Sequence, residues 1–169
     1  EIGADDLVMS DREAVALLAG AGVEADSHDV DALVQRTEGW PAGLYLAALA
    51  IRAGSPRAEA GFSITGDDRF VGDYLRSELL DRVSRAEVAF LTRSSILDRM
   101  CGGLCDAVVG RTGSSRMLEQ LESRNLLVVP LDRRREWYRY HHLFRELLHA
   151  ELSRREPEHV ARLHSAAAQ

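Results

Sequence analysis

Lysine is absent from this sequence: all 21 basic residues among its 169 are arginine, a uniformity that suggests a GC-rich genome more than a functional choice. Several enzyme motifs are missing too. There is no G-x-x-x-x-G-K-[ST] loop, so the chain has no phosphate cradle of its own, and no G-x-S-x-G, H-E-x-x-H or G-x-G-x-x-G. The carboxylates are scattered among arginines at helical spacing, which reads as surface pairing. No nucleophile–base pair stands out, so no catalytic residue is assigned and the chain is not expected to be an enzyme by itself. No apolar run approaches the length of a membrane span and no secretory signal peptide is present, so a cytoplasmic location without membrane contact is expected. The only cysteines are Cys101 and Cys105. With His141 and His142 they are residue types that hold zinc, but the C-x3-C spacing is not the usual one and no second local pair exists. Two buried thiols in a reducing compartment is the plainer reading, and no metal site is assigned.

Apolar residues make up 46% of the chain, which supports a packed core. The net charge of −6 argues against broad binding of a phosphate backbone, which needs a clustered positive face. The densest basic run, Arg133-Arg134-Arg135, is diluted by Asp132 and Glu136 and reads as a solvated turn. The chain opens at Glu1, not at Met, inside what reads as a structured stretch, and it is expected to be part of a longer protein.

Residues 1–9 read as an extended lead-in. Ser10 and Glu13 form a capping box at the start of a helix that turns Ala14, Leu17, Leu18 and Ala21 inward. A second helix starts near Ser27 and stops before Gly39. Pro41 suits the first position of a third helix, and Gly43, early in it, implies close approach by another backbone or a flat ligand. Residues 1–55 form a small helical domain on this reading, and 56–66 a linker. From Asp67 a new helical series presents Phe70, Tyr74, Leu75, Leu79 and Leu80 on one face. Ser84 and Glu87 form a second capping box, residues 98–103 a turn and 104–109 a short helix. Ser114 or Ser115 caps a helix ended by Asn125. Residues 126–131 and 137–140 are the two strands of a hairpin around a charged turn. The fold expected is mainly α: a small helical domain, then a winged-helix domain with one β-hairpin over 67–156, with 157–169 beginning a further, Pro157-led helix.

Where the second strand hands over to a helix stand His141 and His142. A helix N-terminus offers unpaired N–H groups and partial positive charge, so an anion such as a phosphate fits there with help from an imidazole N–H. The plainer alternative has one histidine capping the helix and the other solvated.

Four stretches, 37–44, 73–80, 123–126 and 138–148, together resemble motifs of the large ATP-binding, LuxR-type (MalT-like) bacterial transcription regulators, which belong to the STAND class of signalling NTPases. The resemblance covers nearly the whole chain, in the family's order. It implies an upstream P-loop ATPase domain, a downstream superhelical sensor and a C-terminal helix-turn-helix that alone contacts DNA. It implies ATP or ADP as cofactor of the full-length protein, with none held tightly by this stretch alone, and oligomerisation on activation. Trp40-Pro41-Ala42-Gly43 matches the helical-domain motif whose proline packs on the adenine, so Trp40, Pro41 and Gly43 would be nucleotide-binding. His141 matches the winged-helix histidine that contacts the ADP β-phosphate in the resting state. The related eukaryotic motif has an Asp after that histidine; here it is His142, so the role is carried to His141 only. Two alternatives stand beside this reading. One is a protein-interaction domain with no nucleotide role. The other is a DNA-binding winged helix, which needs a basic recognition helix, whereas the candidate over 114–124 carries Glu119 and Glu122.

Overall fold

Ser10 starts the first helix by letting both its backbone N–H and its hydroxyl donate to the Glu13 carboxylate, at 2.9 and 2.7 Å. In the computed structural model, residues 8–54 and 64–167 are described. Most of the expected lead-in (1–7) and most of the expected linker (55–63) lie outside them. The chain divides into two compact units, residues 1–74 and 75–169.

The first unit packs three helices against one another: α1 (Asp11–Gly20), α2 (Ser27–Thr37) and α3 (Pro41–Arg52). Ala14, Leu18, Val30, Leu33, Leu44 and Ala47 fill the space between them and are almost wholly buried. Helix α2 begins at Ser27, as expected, and its cap is Asp26, whose carboxylate accepts from the Asp29 N–H at 2.9 Å. An Asp at this position also favours the positive end of the helix dipole.

Helix α4 (Arg69–Glu78) carries the chain across the boundary between the units. Leu75, on the face expected from spacing, is fully covered, but its buried companion is Val71, while Phe70 is only half-buried and Tyr74 is exposed. One step along a helix turns the face by about 100°. Tyr74 is freed for another contact, described below.

After a 3₁₀ turn (Leu80–Arg82), α5 (Arg85–Ser94) begins with the second capping box: Ser84 N–H donates to Glu87 at 2.7 Å and Glu87 N–H to Ser84 Oγ at 3.2 Å. Then come α6 (Gly102–Val109), α7 (Ser114–Ser123), strands β1 (Val128–Pro130) and β2 (Tyr138–Tyr140), α8 (His142–Arg155) and α9 (Pro157–Ala167). The strands pair antiparallel, with Val129 opposite Arg139. Among the described residues the architecture is mainly helical with one hairpin, the outline of a winged helix.

Four details differ from expectation. Neither serine caps α7. Gly113 occupies the cap position in a left-handed conformation, and Asp106, on α6, accepts from the Ser114 N–H at 3.0 Å. Strand β1 is three residues long instead of six, because Asn125 and Leu127 have φ of 54° and 53° and turn the chain out of the extended form. Residue Met100, placed in a turn by its sequence context, bridges to Tyr138 through two backbone bonds of 2.7 and 2.8 Å. Of the two thiols, Cys105 is buried and Cys101 only half-buried. Burial pushes the Cys105 thiol up to about 12, so it stays protonated and unreactive.

One carboxylate is taken deep into the second unit. Glu151, on α8, is 4% exposed and meets Arg76 at 2.8 Å, Arg155 at 3.0 Å, and Arg154. Burial alone would raise its carboxyl above the ordinary 4.5, but the Arg76 hydrogen bond and the three guanidinium charges hold it below. Glu13, Glu87 and Glu156 are likewise held below their ordinary value, the first two by their capping serines and Glu156 by Arg93. Groups with depressed folded values contribute stability that is complete above their unfolded values and is lost as pH falls through the folded ones. The thermal midpoint should therefore be flat from pH 7 down to about 5 and fall below about 4.5. Glu151→Gln should lower the plateau and reduce that slope in a pH series of melts; an unchanged acid slope would contradict this account.

Candidate functional site

The first group of predicted site residues lies at the start of α3. Helix α2 ends with Glu38 and Gly39 both left-handed, at φ 52° and 67°. That turn delivers Trp40 to the N-cap of α3 and Pro41 to its first position, where the missing proline N–H leaves no bond unmade. A Cβ on Gly43 would lie 2.9 Å from Cε3 of the Trp40 ring and 3.2 Å from Cβ and Cγ2 of Thr37. The flat group resting on Gly43 is thus the chain's own indole, held with Thr37 against the helix backbone. Thr37 is itself fixed, its hydroxyl donating to the Leu33 carbonyl at 2.8 Å. Trp40, Pro41 and Gly43 are brought together here. Gly43 is buried beneath the ring, whereas Trp40 and Pro41 are half-exposed. Tyr74 joins them, its ring centroid 6.0 Å from that of Trp40 at a tilt of 55°. Sequence reasoning placed Tyr74 on the buried face; the signal that would have found it is an aromatic offset by one position from the Val71–Leu75 stripe.

His141 belongs to the second unit. Strand β2 alternates Tyr138 and Tyr140 inward with Arg139 between them, and the next residue, His141, takes the N-cap position of α8. Its N–H donates to the Leu127 carbonyl at 2.9 Å, extending the hairpin pairing by one bond, and its carbonyl accepts from Arg145 N–H at 2.9 Å. The residue is 5% exposed, and its side chain makes no capping bond to the helix. His142 is exposed. The plainer sequence alternative is met in position, His141 at the cap and His142 in solvent, but His141 caps through its backbone carbonyl and not through its imidazole. Beside this junction, Arg145 Nε donates to the Ser95 carbonyl at 3.0 Å and its Nη1 lies 2.5 Å from Asp98. Tyr140 and Ser94 share a buried hydrogen bond of 2.7 Å, and Ser94 Oγ also donates to the Phe90 carbonyl at 2.7 Å. Ser94 has one proton, so Tyr140 is the donor in their bond. Burial raises the Tyr140 hydroxyl above its ordinary value, which keeps it a neutral donor.

Among the described residues, no group of three or more His, Cys, Asp and Glu side chains gathers in a way that could hold a metal ion. No described helix is long and apolar enough to cross a membrane. The face that reads DNA in a winged helix would be α7. There Arg116 and Arg124 are offset by Glu119 and Glu122, and two of these charges are already engaged, Arg124 with Glu87 and Glu122 with Arg135 at 3.4 Å. Both of those pairs reach to neighbouring elements, and the charges that α7 and its C-cap carry sum to zero.

A family model described as the MalT winged helix domain matches residues 76–160, just over half of the chain. Among curated proteins, 168 aligned residues covering 99% of this chain are 35% identical to serine/threonine-protein kinase PknK of Mycobacterium tuberculosis, of which they make up 15%. An alignment of 178 residues covering 100% of this chain is 30% identical to the HTH-type transcriptional regulator MalT of Klebsiella pneumoniae, 19% of that protein. The MalT regulator of Vibrio cholerae is 30% identical over 151 residues, 84% of this chain and 16% of the regulator. The chain spans less than a fifth of the length of these relatives.

Proposed function

Because the chain belongs to the family of the MalT winged helix domain, we propose that it is the regulatory module of a larger, ATP-dependent LuxR-type regulator of the STAND class. It packs on a P-loop ATPase domain and reads whether ADP or ATP is bound there. One observation carries this reading. The same stretch recurs, nearly end to end, in a protein named as a kinase and in proteins named as HTH-type regulators, as less than a fifth of each. A part common to two different outputs serves a step that both share, namely control, and not phosphotransfer or DNA contact. The matching model describes a winged helix and not a catalytic domain.

On this reading the half-exposed faces of Trp40 and Pro41 pack on the adenine, while Gly43 acts indirectly by seating the indole. His141 and the first turn of α8 face the β-phosphate in the ADP state. Exchange for ATP, biased by a sensor elsewhere in the protein, releases the winged helix and permits oligomerisation in the cytoplasm. A switch of this kind requires that the nucleotide bind the two states with different free energy. ATP or ADP is therefore a cofactor of the whole protein, and DNA is bound through a separate helix-turn-helix.

The test uses the full-length protein. ADP retained after desalting should fall about tenfold in Trp40→Ala and in His141→Ala, a loss near 1.4 kcal/mol. Retention unchanged in both variants would overturn the nucleotide role. It would favour a protein-interaction domain, the reading that the burial of His141 supports.

A further inference from the structure

The two units differ in charge. Residues 1–74 hold 14 Asp and Glu against 5 Arg, whereas residues 75–169 hold 13 against 16 Arg. Four of those sixteen arginines, Arg133, Arg134, Arg135 and Arg139, lie in the hairpin or its turn. The hairpin also carries the two large apolar side chains of the second unit that stand exposed among the described residues, Leu131 at 41% and Trp137 at 42%. Leu131 N–H donates to the Trp137 carbonyl at 2.7 Å, so the two residues are opposite partners and share the outer face with Val129 and Arg139. The tip is preorganised. The Asp132 carboxylate accepts from the backbone N–H of Arg134 at 2.8 Å, Glu136 at 3.3 Å and Trp137 at 2.7 Å. A rigid loop presenting an exposed indole among arginines has the composition of an interface anchor.

The first unit offers the complement. It is strongly acidic, and it leaves Val8, Val15 and Tyr45 about half exposed. We propose that the hairpin tip, led by Trp137, Leu131, Arg133 and Arg134, docks on the acidic helical unit of a second copy of this chain. The contact is heterologous, head to tail, so each copy keeps one free donor and one free acceptor surface unless a ring closes.

Sedimentation of the 169-residue chain tests this. The weight-average mass should rise with concentration at about 0.05 M salt and return to the monomer at about 0.5 M, where the screening length falls to a few ångström. Trp137→Ala alone, and Arg133→Glu with Arg134→Glu, should each weaken association about tenfold or more. All three side chains are exposed, so folding, checked by circular dichroism, should be unchanged. Heterology adds a second readout: the Trp137→Ala chain should still be captured by the unmodified chain through its intact acidic unit, while two Trp137→Ala chains should not pair. A chain that stays monomeric up to about 100 μM at low salt, where any contact would be weaker than about 5.5 kcal/mol, overturns the proposal. So does association that neither variant reduces. Retention of DNA by a chain that remains monomeric, lost in the same variants, would make nucleic acid the occupant and overturn it as well.

Discussion

Phe144→Ala should remove about 3–5 kcal/mol from the stability of the chain, the cost of emptying a large aromatic site in a closed core. Phe144 is fully buried on α8 and meets Tyr140 edge to face, with centroids 5.9 Å apart and planes at 81°. Leu143, Leu147 and Leu148 on the same helix are also fully covered, so little room exists for the surroundings to collapse into the void. Since a whole domain is stable by only about 5–15 kcal/mol, the variant should lose a large share of that margin. Tyr140→Phe is the control. It deletes only the hydroxyl that donates to Ser94, and Ser94 keeps its bond to Phe90, so the loss should be about 1 kcal/mol. Urea unfolding of both variants measures the difference. Equal losses would mean that the hydroxyl, and not ring packing, holds the strand-to-helix junction.

Gly102→Ala should cost about 1–3 kcal/mol although it adds a single methyl and places a better helix former in α6. A Cβ there would lie 1.8 Å from Ser115 Oγ, 2.9 Å from Ser115 Cβ and 3.0 Å from Ser115 N. Rotating the serine relieves only the first of these, so α6 and α7 must move apart. That would strain the Asp106 to Ser114 bond that starts α7. Ser115→Gly should recover part of the loss in the double variant, less the ordinary cost of a helical glycine of about 1 kcal/mol. Additive effects in that cycle would show that the two positions do not meet.

The crowding at Gly102 leaves no sign in the sequence. Gly102 and Gly103 are adjacent glycines at a helix start, yet a Cβ on Gly103 would meet nothing within 4 Å. The local pattern is the same for both; only the partner helix distinguishes them. Gly43 is the converse. Its position early in an apolar helix announced a close approach, and one is found, but the approaching group is Trp40 from three residues upstream. Both residues stand close together in the sequence, but only the folded chain shows which way the indole turns.

What the sequence determined by itself were features set within three or four residues. The two serine–glutamate capping boxes, Pro41 at a helix start, Asn125 as a helix end and a hairpin around an Asp132-led turn follow from bonds that close inside one turn of chain. The tertiary structure decided the rest. It chose Val71 to accompany Leu75 in place of Phe70 and Tyr74, gave α7 its cap from Asp106 on another helix, and buried Glu151 among arginines as far away in sequence as Arg76. It also buried His141 while leaving its twin His142 in solvent. Local hydrogen bonds are fixed by spacing along the chain, but burial is fixed by what arrives from elsewhere, and neighbours in sequence that look alike are separated only by packing.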